Sequence, residues 1–181
     1  MKIVLTGAPG SGKTSLIEAL AKRGEQIVPE AAIEVISALV EEMGLQEQDD
    51  WRRGDPLAFQ ERIYRHQTEL EAVLDPKRRT FLDRGTIDGL AYLEMFDTFA
   101  PEHFKAQLKA HHYDIVVLVE PLPNLDLRVG SGRNDTKEEA ERLVHLLREV
   151  YETEGYQLIP LPPLPLEERV NHLIELIDQL S

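Results

Sequence analysis

Residues Gly7 to Thr14 read Gly-Ala-Pro-Gly-Ser-Gly-Lys-Thr, and no other stretch constrains the chain so tightly. The pattern is G-x-x-x-x-G-K-[ST], entered from the apolar run Ile3-Val4-Leu5 and followed by the amphipathic series Leu16, Ile17, Leu20. A strand, a glycine turn and a helix start are therefore expected in that order. Glycines here let the backbone adopt positive φ and close on a small anion. Successive N–H groups, the positive end of the helix and the Lys13 ammonium then converge on phosphate oxygens, and the Thr14 hydroxyl can ligate Mg²⁺. Gly7, Ala8, Pro9, Gly10, Ser11, Gly12, Lys13, Thr14 and Ser15 form the expected nucleotide-binding set.

The rest of the chain supplies the frame such a loop needs. Helices are predicted over Lys13–Lys22, Ala31–Met43, Asp55 to about Leu74, from just after Arg84-Gly85 through about Phe96, Pro101 to His111, Lys137–Thr153 and Pro165–Leu180. Short strands are predicted at Gln26–Val28, Arg79–Asp83, Ile115–Val119 and Tyr156–Pro160. Ile115–Val119 is apolar throughout, as befits a parallel strand covered on both faces. Ile33, Ile36, Val40 and Met43 are expected as the core stripe of the second helix. Phe59, Ile63, Leu70 and Leu74 are the stripe expected of the third, and Leu166, Val170, Leu173, Ile174 and Ile177 that of the last. Leu45–Gly54 is polar and reads as irregular. Strands alternating with helices predict an α/β fold, a three-layer α/β/α sandwich on a five-stranded parallel sheet. One domain over residues 1–181 is expected.

In such a sheet, ligands meet the carboxyl ends of the strands, which directs attention to the residues just after each one. Glu30 follows the second strand; it either serves as general base toward an attacking hydroxyl or merely complements a helix dipole. Asp83 follows the third, where a metal-ligating acid belongs, and Arg84 beside it suits a phosphate or substrate oxygen. Glu120, after the fourth, is the rival acid. Residues 120–136 hold Pro121, Pro123, Gly130 and Gly132 and cannot be regular; Arg128 and Arg133 among these glycines suit a lid over a transferring phosphoryl group. Arg62, Arg65, His66 and Glu69 share one helix face and read as solvated, Trp51 as packing or ring-stacking, and His111-His112 as surface.

Charge narrows the partners. Thirty-three acids against 20 Lys and Arg give a net charge of −13, which argues against a broad nucleic-acid or membrane surface. There is no cysteine and no run long enough to span a membrane. Met1-Lys2 leads straight into the first strand, so no signal peptide is expected, and a cytoplasmic location follows as an expectation.

Three stretches carry a family resemblance: Gly7 to Thr14, Val28-Pro29-Glu30-Ala31-Ala32-Ile33-Glu34-Val35-Ile36, and Phe81-Leu82-Asp83-Arg84-Gly85-Thr86-Ile87-Asp88-Gly89-Leu90-Ala91-Tyr92. Together they resemble the small single-domain P-loop proteins grouped with the AAA ATPases. These are similar to the NadR-type nicotinamide-riboside kinase domain and, more distantly, to the deoxynucleoside kinases. The resemblance spans nearly the whole chain and implies a nucleoside- or nucleotide-kinase-like fold. By it, Glu30 matches the carboxylate after the second strand, Asp83-Arg84 the acid–arginine pair after the third, and Asp88 a repeated acid. Ile33 stands where many members carry arginine. The resemblance implies ATP as co-substrate, Mg²⁺ at Thr14 and Asp83, and phosphoryl transfer to a hydroxyl of a small acceptor, a nucleoside or riboside, by a monomer or homodimer. The catalytic set on this reading is Lys13, Glu30, Asp83, Arg84, Arg128 and Arg133. A regulatory ATPase or nucleotide switch acting on a protein partner is the alternative.

Overall fold

The computed structural model describes residues 1–123 and 136–180. Five strands, β1 (Lys2–Thr6), β2 (Gln26–Val28), β3 (Thr80–Asp83), β4 (Ile115–Val119) and β5 (Leu158–Leu161), form one parallel sheet in the order β2-β3-β1-β4-β5. β1 lies at its centre, with Leu5 beside Asp83 of β3 and Thr6 beside Leu118 of β4. The first crossover out of β1 runs toward β3 and β2, the later ones toward β4 and β5. The tip of β1 is thus where the chain's direction across the sheet reverses, and a crevice opens there.

Alternation along the strands divides the core. Ile3, Leu5, Phe81, Val117 and Val119 point to one face, where α1 (Lys13–Lys22) and α8 (Leu166–Leu180) supply Leu16, Leu20, Val170, Leu173 and Ile177. Val4, Leu82, Val116 and Leu118 point to the other and meet Ile87, Tyr113 and Tyr151. That second layer holds α4 (Pro56–Ala72), α5 (Asp88–Met95), α6 (Glu102–Lys109) and α7 (Lys137–Thr153). A sheet covered on both faces explains why its strands read as apolar runs.

Four expectations change. Leu45–Gly54 is a helix, α3, and not irregular. Its polar sequence hides it; the backbone turn at Gly44 (φ 91°) and the Asp49–Arg53 and Gln46–Asp50 pairs one turn apart hold it. In α2 (Ala31–Met43) the buried positions are Ala31, Ala32, Val35 and Leu39, while Ile33 is 50% exposed. On α4 Phe59 is buried as expected, but Gln60, Gln67 and Glu71 are buried with it, and Ile63, Leu70 and Leu74 only partly so. On α8 Leu166 is 43% exposed and Arg169 is buried instead. The helix and strand limits otherwise shift by one to three residues. Among the described residues no helix is long and apolar enough to cross a membrane.

Candidate active site

The phosphate loop leaves β1 through Gly7, whose φ of 144° only glycine takes easily; a Cβ there would lie 2.5 Å from the Val119 carbonyl oxygen. The loop closes with Ser11 N–H donating to Ala8 O, and α1 begins after Gly12 in the left-handed region (φ 88°) with no side-chain cap. The first N–H groups of α1 are therefore left for a ligand. Thr14 and Ser15 are exposed at this end. Lys13 is buried, and its Nζ donates to Gly7 O, Ala8 O and Ser11 Oγ at 3.0, 2.8 and 3.2 Å. Burial, then the nearby Arg84 charge, lowers its pKa to about 7 against the pull of Asp83, Glu30 and Asp88.

Three strand tips bring the acids together. Thr14 Oγ1 donates to Asp83 Oδ2 at 3.0 Å, which sets Asp83 beside the loop. Asp83 is 1% exposed and its Oδ1 has no hydrogen-bond partner among the described residues. Burial and the charge on Glu30 raise its pKa, against the pull of Lys13. A hydroxyl and a carboxylate oxygen still wanting a partner are the hard donors Mg²⁺ prefers. That ion takes only one or two groups from a protein when phosphates supply the rest. The pair fits Mg²⁺. Glu120, the rival acid, lies on the far side of β1, and its backbone is tied to Leu161 and Arg169.

Arg84 sits at φ 76°, a conformation costly for a residue with a Cβ. The turn aims its guanidinium between Glu30 (3.2 Å), Gly7 O (3.2 Å) and Asp88 (3.1 Å), with its carbon 5.3 Å from the centre of the Tyr92 ring. Asp88 in turn accepts from Thr6 Oγ1 at 2.8 Å and from the buried Tyr151 hydroxyl at 2.7 Å. Gly85 has no room for a side chain: a Cβ would stand 2.7 Å from the Tyr151 hydroxyl and 2.9 Å from the Tyr113 ring. Tyr113 accepts from Thr86 N–H and donates to Glu71. Burial pushes Glu71 up, but hydrogen bonds from His111, Lys2 and Gln67 overcome it and hold the pKa at about 2. The turn after β3 is thus clamped from two sides by buried polar groups.

Against the acids opens a cavity of about 490 Å³. Glu30, Asp83 and Arg84 border one part of it; Phe59, Ile63, Tyr64, Tyr92, Met95 and Leu143 give it an apolar wall. Lys13, Thr14, Glu30, Asp83 and Arg84 therefore converge. Arg128 and Arg133 lie outside the described residues. Arg62 pairs with Glu42 and covers Trp51, which packs near Val35, Leu39 and Phe59; His66 pairs with Glu34, and Arg65 is exposed. His111 is not a surface residue as expected but a partner of Glu71 at 3.2 Å; His112 is exposed.

Sequence reading missed Arg169. From α8 it donates to Ser11 O (2.7 Å), Glu120 O (2.6 Å) and Leu161 O (3.1 Å), bracing the phosphate loop against the tips of β4 and β5. Its one sequence signal is an arginine among the apolar positions of a helix. Gln60 and Gln67 on the cavity wall were missed for the same reason.

The AAA domain family matches residues 2–169. The fold is similar to that of a deoxyadenosine kinase from M. mycoides with bound dATP (TM-score 0.64, 14% identity, 98% of this chain and 100% of that one). It is similar to thymidylate kinase from Ehrlichia chaffeensis (TM-score 0.64, 15% identity, 98% of each chain). It is also similar to NadR protein in complex with NR (TM-score 0.70, 17% identity, 98% of this chain and 50% of that one). No curated protein matches. The fold is that of the P-loop nucleoside and nucleotide kinases.

Proposed function

The chain belongs to the AAA domain family, and from that premise we propose that it is a kinase moving the γ-phosphoryl group of ATP to a hydroxyl of a small molecule, a nucleoside or other riboside. The observation that carries this is the cavity beside Glu30, Asp83 and Arg84. A switch or hydrolase needs room for one water at the γ-phosphate; about 490 Å³ with an apolar wall is room for a whole acceptor.

The loop amides hold the β-phosphate, and Lys13 turns from Gly7 O and Ala8 O to the β- and γ-oxygens. Thr14 and Asp83 would hold Mg²⁺, which supplies charge neutralisation across those oxygens when bound. The acceptor hydroxyl donates to Glu30. Its oxygen bonds to the γ-phosphorus as the bond to the β–γ bridging oxygen breaks, ADP leaves, and the proton passes to Glu30. Arg84 keeps the Glu30 carboxylate oriented, and Asp88 and Tyr151 keep Arg84 in place. We assign Arg128 and Arg133 to the phosphate clamp and residues 120–136 to a lid within a single domain.

The test is ADP release with and without a panel of nucleosides and ribosides. Acceptor-dependent release is expected, and Glu30→Gln should lower kcat by about 10² or more while ATP binding stays near normal. Release that never responds to an acceptor refutes the kinase reading.

A further inference from the structure

Three cations are buried among the described residues: Lys13, Arg84 and Arg169. Arg169 alone bonds nothing but backbone carbonyls, and it makes no ion pair among the described residues. Its Nη2 donates to Glu120 O and Leu161 O, the tips of β4 and β5, and its Nη1 donates to Ser11 O at 2.7 Å. A buried cation with no carboxylate beside it is weak evidence of a stabilising role. Its helix is fixed, since Val170, Leu173 and Ile177 are fully buried against the sheet. With Nη2 held by two strand tips, Nη1 is aimed at Ser11 O by the frame and not by the loop.

What that bond controls is the peptide between Ser11 and Gly12. No peptide in the described chain is cis, so the Ser11 carbonyl and the Gly12 N–H point in opposite directions. Holding Ser11 O on the α8 side turns the Gly12 N–H away from α8. That N–H has no partner among the described residues, and beside it stand the uncapped first N–H groups of α1. The backbone itself does not enforce this choice. Turning the peptide over would carry the φ of Gly12 from 88° to about −90°, which glycine takes as readily. The carbonyl oxygen would then face the phosphate in place of the donor.

Resting on the nucleotide-binding part of the kinase reading, we propose that Arg169 is a positioning residue for the triphosphate. It locks the Ser11–Gly12 peptide in the one orientation that presents the Gly12 N–H to the β-phosphate. The same bond polarises the peptide, because a charged donor on the carbonyl strengthens the N–H at its other end. Arg169 thus reaches the phosphate through one peptide group, from a helix that never touches the nucleotide's phosphates.

The experiment measures Kd for AMP and for ADP by displacement of a fluorescent ADP analogue. The two differ only in the β-phosphate, so the ratio of their Kd values reads the loop's grip on it. Arg169→Met and Arg169→Lys should each shrink the ADP advantage about tenfold or more, the worth of one hydrogen bond to a charged group. Lysine keeps the charge but has no fork to anchor on two strand tips and hold Ser11 O as well. Arg23→Gln is the control: it loosens α8 by removing the bonds to Asn171 and Glu167, at the far end of α1, and should leave the ratio unchanged. Partial unfolding weakens both nucleotides alike and does not move the ratio. In the wild-type protein the Gly12 amide proton should shift downfield with ADP and not with AMP, a signature that needs no variant. An unchanged ratio in either Arg169 variant, or a Gly12 amide indifferent to ADP, overturns the inference and leaves the kinase reading standing. A shrunken ratio with no transfer to any acceptor defeats the kinase reading alone. No binding of ADP or ATP by the wild type defeats both.

Discussion

Replacing Lys13 by methionine should stabilise the protein while abolishing its turnover. Lys13 is 4% exposed and its pKa falls from 10.5 to about 7 in the folded chain. A shift of that size is roughly 4 kcal/mol against the folded state at pH 7, since each unit is about 1.4 kcal/mol. The variant escapes this penalty but takes one donor each from the carbonyls of Gly7 and Ala8, which keep Arg84 and the Ser11 N–H; at about 0.5–1.5 kcal/mol per lost bond this costs about 1–3 kcal/mol. The net gain is about 2 kcal/mol, or about 4–8 °C in Tm for a chain of this size. The sign of the pH dependence follows from proton counting. Between pH 7 and 10.5 the unfolded chain holds the proton and the folded one does not, so wild-type stability rises with pH through that window. The advantage of methionine is therefore full at and below pH 7 and vanishes by about pH 9. Urea unfolding of both proteins at pH 6, 7, 8 and 9, without nucleotide, reads this directly. A variant less stable at pH 7, or a difference that stays constant to pH 9, would refute the buried-lysine argument.

Other outcomes follow from the same geometry. ATP binding should pull Lys13 back to its charged form, so affinity measured by calorimetry should weaken as pH rises above about 7, by up to tenfold per unit, with proton uptake on binding. Gly85→Ala should cost about 1–3 kcal/mol in chemical denaturation, because its Cβ meets Tyr151 and Tyr113, and adding Tyr151→Phe should recover part of that. Tyr151→Phe alone strips Asp88 of its shortest hydrogen bond; kcat should fall with KM for ATP little changed, whereas a purely structural role would lower only Tm.

What could be read in advance, and what could not, divides along physical lines. The loop Gly7–Thr14 and the acids Glu30 and Asp83 were legible because local chemistry fixes them: glycines for positive φ, a hydroxyl for a metal, acids just past apolar strands. The strand order sets Asp83 and Glu120 on opposite sides of β1, and Thr14 bonds the former. α3 was hidden because its stability comes from side-chain pairs and a glycine turn, which leave no apolar stripe. Gln60, Gln67, Glu71 and Arg169 were hidden because a periodicity reading assigns polar residues to water. Glu71 and Arg169 take partners far away in sequence, His111 at 40 residues and Ser11 at 158. The αL turn that aims Arg84 at Glu30 left no sequence signal either.

The central claim is that phosphoryl groups leave ATP for a hydroxyl held at Glu30. Following labelled γ-phosphate in the presence of Mg²⁺ and a riboside panel tests it most directly. The account predicts label on an acceptor, with Glu30→Gln reducing its appearance about 10² or more. Label released only as inorganic phosphate, at a rate no acceptor changes, would contradict it.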